Sequence, residues 1–162
     1  MNFTWLTIDC DDIRHIPSNQ GHPTRSKNLA RTKSTELSKQ FINGMNGFEK
    51  WMNSHTSPIT FFVIADLFDS KEFSTWMSSI IDTFGQRITI GCHGLSHRSW
   101  SAWPEDSAGF SIALNKATEI IKQQVGDNWR PWFRAPGGYI APWMAKVIAK
   151  SGYTVDSSIN PS

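Results

Sequence analysis

Short runs of apolar residues alternate along the chain with longer stretches in which apolar positions recur at helical spacing. That alternation is the mark of a repeating βα architecture with a parallel sheet. Phe3 to Cys10 reads as the first strand, and the polar stretch 13–34, with Pro17, Gly21 and Pro23, as a long loop. From Thr35, the residues Leu37, Phe41, Ile42, Met45, Phe48 and Met52 fall three or four apart and predict an amphipathic helix, despite Gly44 and Gly47. Pro58 introduces I-T-F-F-V-I-A, a continuous apolar run expected of a strand buried on both faces.

The same rhythm continues to the end of the chain. A helix is predicted over Lys71 to Phe84, a strand over 88–92 (I-T-I-G-C), and a helix over Glu105 to Val125. A short strand at Trp132 to Arg134 runs into A-P-G-G, followed by a helix over Ala141 to Ser151 and a last strand at Tyr153 to Val155. The fold class expected is α/β, a distorted (β/α) barrel in a single domain, residues 1–162. Sites in such architectures gather at the carboxyl ends of the strands.

Three strand ends carry chemistry. In T-I-D-C-D-D, Asp9 and Asp11 stand two apart and so share one face of a strand, with Cys10 on the other. Several partly buried carboxylates need a cation or hydrogen-bond donors. A metal is one answer, and the capping of a following helix is another. In G-C-H-G-L-S-H, His93 and His97 stand four apart, so that a single helical turn could bring both rings to one ion; a pair of surface histidines has the same spacing. In W-F-R-A-P-G-G-Y, Arg134 can hold an aspartate ionised through a bidentate pair, and the turn at Pro136, Gly137 and Gly138 can aim a backbone N–H at a developing oxyanion. Read alone, that third segment is a turn with a surface arginine.

Composition narrows the partners. Sixteen basic and fourteen acidic residues give a net charge of +2, too balanced for a nucleic-acid footprint. No apolar run is long enough to span a bilayer, and the N-terminus has no secretory leader pattern. Cys10 and Cys92 form no CxxC pair or disulfide framework, so free thiols and a cytoplasmic setting are expected. Eight tryptophans are many for this length, and Trp100, Trp103, Trp129, Trp132 and Trp143 fall near the expected mouth. Aromatic faces suit sugar rings, although core packing is the commoner use of any one Trp.

Together these segments resemble the polysaccharide deacetylases of carbohydrate esterase family four. T-I-D-C-D-D is similar to the family's first motif, C-H-G-L-S-H to its second, R-A-P-G-G to its third, and the Asp156 segment D-S-S-I-N-P to its fourth, all in the family's order. T-F-F-V at Thr60 to Val63 is similar to its second strand. The resemblance implies Asp9 as catalytic base and Asp11 as metal ligand, with Asp12 competing, together with His93 and His97 as the other ligands. It implies Arg134 orienting Asp9, and Gly137 and Asp156 at the substrate and oxyanion side. Zinc is the first choice for such a site, with nickel, cobalt or manganese as alternatives, and the implied substrate is an acetylated amino-sugar glycan.

Family members continue past the fourth motif to a leucine-and-histidine segment whose His protonates the leaving amine. The resemblance therefore implies a chain that stops short of that segment, or an acid drawn from His15, His22 or Asp156. It also leaves room for an amidohydrolase acting on small amides or cyclic imides, and for an inactive glycan-binding domain.

Overall fold

The computed structural model describes residues 5–20, 22–26, 34–158 and 160–161. Its strands are β1 (Thr7–Cys10), β2 (Ile59–Val63), β3 (Ile88–Cys92), β4 (Trp129–Phe133), β5 (Tyr139–Ile140), β6 (Val155–Asp156) and β7 (Asn160–Pro161). One sheet has the order β1-β2-β3-β4-β6, with every neighbouring pair parallel, and β5 and β7 form a separate parallel pair. The sheet strands follow one another in sequence order, as in a βα barrel wall. The expected start of the first strand at Phe3 and Thr4, and residues 27–33 of the long loop, lie outside the described residues.

Helices α1 (Lys39–Ser54), α2 (Lys71–Phe84), α3 (Ser107–Val125) and α4 (Pro142–Lys150) alternate with the strands. Helix α1 starts at Lys39 rather than Thr35, because Ser38 is extended and its Oγ accepts the Phe41 N–H at 3.1 Å. Likewise Asp106 Oδ1 accepts the Gly109 N–H at 2.8 Å, so α3 begins at Ser107 rather than Glu105. Strand β4 starts earlier than expected and ends at Phe133, leaving Arg134 just beyond it. The last sheet strand is Val155–Asp156 rather than Tyr153 to Val155. Among the described residues, no helix is long and apolar enough to cross a membrane.

The register divides the sheet into two faces. Ile8 pairs with Phe61 and Phe61 with Ile90, while Cys10, Val63 and Cys92 form the next row. This face packs against Met45 of α1, Phe73 and Met77 of α2, and Phe110 and Leu114 of α3. Each such apolar side chain contributes about 1.5–3 kcal/mol by leaving water. The opposite face carries the row Asp9, Phe62 and Gly91. A one-residue slip of β1 would drive Asp9 into the core, so the apolar row fixes where the carboxylate points. Gly91 makes this row possible: a Cβ there would stand 2.8 Å from the Trp132 carbonyl oxygen and 2.9 Å from the Phe62 ring.

Candidate metal and catalytic site

Asp11 and Asp12, adjacent in sequence, have different surroundings. Asp12 is 3% exposed; its Oδ1 accepts the Ile13 N–H at 2.7 Å and its Oδ2 the Ser38 N–H at 3.1 Å. Its carboxylate is thus spent on the backbone at the starts of two helical segments. Asp11 turns the other way, with Oδ1 3.6 Å from His93 Nε2 and Oδ2 3.3 Å from His97 Nε2.

His93 follows β3 and is fully buried. Its Nδ1–H donates to the Arg134 carbonyl oxygen at 2.8 Å, which leaves the Nε2 lone pair facing Asp11. Burial lowers the pKa of His93 and outweighs the upward pull of Asp11 and Asp9, so the neutral ring is favoured. Burial also works to raise the pKa of Asp11, but the neighbouring imidazoles, His97 first and then His93 and His15, outweigh it and carry the group below its ordinary value.

The turn that joins the two histidines is not helical, contrary to the single-turn expectation. Gly94 has φ 91° and His97 has φ 55°, so the chain doubles back through two left-handed residues. A Cβ-bearing residue in that region costs roughly 1–2 kcal/mol, and such costs concentrate at functional sites. Gly94 avoids the cost and His97 bears it.

His93 Nε2 and both nitrogens of His97 are buried and make no hydrogen bond of acceptable geometry among the described residues. Leaving buried polar atoms unpaired is expensive unless something else satisfies them. One ligand atom from each of Asp11, His93 and His97 lies within 4.8 Å of the other two. Donors about 2.0–2.1 Å from a tetrahedral ion stand about 3.4 Å apart, close to the 3.3 and 3.6 Å separations of Asp11 from the two rings. The donor set of two imidazoles and one carboxylate therefore fits a divalent ion with positions left open.

Arg134 joins this cluster to Asp9. Its Nη1 donates to Asp9 Oδ1 at 2.8 Å and its Nε to Ser157 Oγ at 3.0 Å, while the guanidinium lies 4.3 Å over the centre of the Phe62 ring. Asp9 Oδ2 lies 3.9 Å from His93 Nε2. Ser157 and Ser158 escaped the sequence reading. Ser158 Oγ accepts the Ala135 N–H at 2.8 Å, and together the two hydroxyls brace the segment carrying Arg134. Their sequence signal is their place beside Asp156 in D-S-S-I-N-P.

The remaining candidates are spread out. Gly137, at φ 68°, is a non-helical kink within the turn Pro136–Gly138. Asp156 is exposed at the end of β6, and its Oδ1 accepts the Ser158 N–H at 3.0 Å. His22 lines a separate cavity of about 200 Å³ with Arg25, Ser99 and Tyr139, and its pKa is lowered by burial and by Arg25. His15 is fully buried, with Nδ1 accepting the Asp12 N–H at 3.0 Å and Nε2 2.9 Å from Asp66 Oδ1. Trp100 and Trp143 pack on Phe110 and Trp129 on Tyr153, which is the core use of these rings. Cys10 and Cys92 are free and buried.

The sequence model of the polysaccharide deacetylase family matches residues 44–155. The chain belongs to that family. The match spans His93, His97 and Arg134 and begins after Asp9 and Asp11. The crystal structure of a CE4 family pseudoenzyme from Bacillus anthracis is similar in fold, with a TM-score of 0.58 and 18% identity, over 70% of this chain. The similar region spans 38% of that protein's length. No curated protein matches the chain.

Proposed function

We propose that the chain is a metal-dependent deacetylase that removes N-acetyl groups from an amino-sugar glycan. Membership of the family supports the reaction class and the glycan substrate. The observation that carries the metal is the pair of buried nitrogens His93 Nε2 and His97 Nε2, which face the Asp11 carboxylate and make no hydrogen bond of acceptable geometry among the described residues.

In this reading Asp11, His93 and His97 hold the ion, with zinc first for a set of two nitrogens and one oxygen and nickel, cobalt or manganese as alternatives. When bound, the ion supplies Lewis acidity toward the acetamide carbonyl and water. Asp9 accepts a proton from the attacking water, and the Arg134 guanidinium keeps Asp9 ionised and aimed. The Gly137 turn is the candidate backbone donor for the oxyanion, with Asp156 at the rim of the substrate side. The His93 Nδ1–H bond to the Arg134 carbonyl orients one ligand from the same residue that orients the base.

Acetate release from N-acetylglucosamine oligomers tests the proposal. Chelation is expected to abolish release and added divalent metal to restore it; release that survives chelation would contradict it.

A further inference from the structure

Asp11 stands outside the regular sheet, since β1 ends at Cys10, and His97 sits on an irregular loop. Neither position is fixed by strand pairing, yet a metal site needs its ligands held within a few tenths of an ångström. A pair of residues outside the ligand set joins the two segments. His15 Nδ1 accepts the backbone N–H of Asp12 at 3.0 Å, so the ring proton sits on Nε2, which donates to Asp66 Oδ1 at 2.9 Å in preference to accepting the Arg14 Nε–H, the longer contact at 3.2 Å. Asp66 follows β2, where its own N–H donates to the Leu95 carbonyl at 3.0 Å, and the preceding Ala65 N–H donates to that of Gly94 at 3.0 Å. Hydrogen bonds therefore run unbroken from the residue after Asp11, through the His15 ring, to the loop between His93 and His97.

The pair is built into the protein. His15 is fully buried, and the side chain of Asp66 is 12% exposed. Arg14 lies alongside, with Nη2 donating to the Asp66 carbonyl oxygen at 3.2 Å and Nη1 to that of Ser34 at 2.7 Å. A buried carboxylate is costly unless neutralised and hydrogen-bonded, and Arg14 and His15 supply both. The His15 ring centre lies 6.0 Å from that of His97, so the His15 ring also stands beside the ligand cluster.

We propose that His15 and Asp66 are positioning residues that clamp the Asp11 turn to the His93–His97 loop and so set the geometry of the metal site. The proposal rests on the metal reading above. It also explains why His15 is unsuited to protonating a leaving group: both of its nitrogens are engaged in the clamp.

Zinc titration of metal-free wild type, His15→Ala, Asp66→Ala, Asp66→Asn and the double alanine variant tests it, with amide exchange measured on the same metal-free proteins. Asp66→Asn keeps an oxygen acceptor for His15 Nε2–H and is expected to stay within about threefold of wild-type affinity. The single alanine variants are expected to weaken zinc by about 10- to 100-fold, the range for loss of a partner behind a ligand. The double variant should lose little more, since both changes cut one connection. In metal-free His15→Ala, the Ala65 and Asp66 amides, which His15 does not touch, should exchange about tenfold faster while those of α3 are unchanged.

Failure of wild type to bind zinc would overturn the metal reading and leave the clamp to the exchange data. Unchanged Ala65 and Asp66 exchange would overturn the clamp. So would wild-type zinc affinity in the alanine variants, additive losses in the double variant, or an Asp66→Asn loss as large as that of Asp66→Ala.

Discussion

The Arg134 guanidinium donates to Asp9 Oδ1 at 2.8 Å, joining residues 125 apart in sequence at the ends of β4 and β1. Because the carbonyl of Arg134 also accepts the His93 Nδ1–H, one residue sets the direction of the proposed base and of one proposed ligand. The two connections separate by mutation, since only the first uses the side chain.

Arg134→Ala is therefore expected to leave metal binding within a few-fold of wild type and to lower kcat/KM by about a hundredfold or more, within the range for a general base. Arg134→Lys keeps the charge without the planar fork and should fall between. Asp9→Asn should retain metal and lose hydrolysis. Steady-state rates on an aryl acetate at matched metal content check all three; loss of metal in Asp9→Asn would make Asp9 a ligand instead.

The pKa of His93 is lowered by burial from an ordinary value of 6.5. The folded state therefore prefers the neutral ring and the unfolded state binds its proton first. The stability this contributes is present above 6.5 and is lost as pH falls through the lower folded value. Urea midpoints of the metal-free protein should decline on acidification through this window, and His93→Gln should flatten that decline. An equal decline in the variant would place its origin elsewhere.

Burial raises Cys92 to about 11 and carries Cys10 well above its ordinary 9.0, with Asp11 and Asp9 adding to the effect. A raised thiol contributes stability below the unfolded value of 9.0 that is lost as pH rises toward 11. At mildly alkaline pH both thiols should resist iodoacetamide in the native protein and both should react after denaturation. Rapid native labelling of either would contradict its burial.

The five histidines of the chain are all accounted for. His93 and His97 lie in the ligand cluster, His15 bonds Asp12 and Asp66, His22 lines its own cavity, and His55 stacks on Trp51 at 4.5 Å. No imidazole is left to protonate a departing amine, a contribution of about a hundred- to ten-thousandfold. The chain should therefore hydrolyse an activated aryl acetate, whose aryloxide leaves unaided, far faster than N-acetylglucosamine oligomers. Comparable rates on the two would overturn that assignment, and loss of amide but not aryl-ester hydrolysis in His15→Ala or His22→Ala would then identify the donor.

The strand ends were legible because each apolar run stops at a polar residue: Asp9, His93 and Arg134 announce themselves by breaking a pattern. Helix α2 was legible to its limits, since Ser70 caps it and Gly85 follows it. The histidine turn was misread because an H-x-x-x-H spacing looks the same in a helix and in a loop; only the positive φ of Gly94 and His97 distinguishes them. Asp11 and Asp12 could not be ranked from sequence, because the choice depends on Ser38, which becomes a neighbour only when α1 docks. Asp66 and Ser157 act through partners 51 and 23 residues away, distances at which the local pattern is silent. The pair β5 and β7 is too short to leave a periodic trace.

The central claim is that Asp11, His93 and His97 hold one divalent ion, and zinc titration of the metal-free chain tests it most directly. The account predicts about one ion per chain in the wild type, and loss of most binding in His93→Ala, His97→Ala and Asp11→Ala, with Asp12→Asn retaining the ion. Stoichiometric zinc bound by the His93→Ala/His97→Ala double variant, or no zinc bound by the wild type, would contradict it.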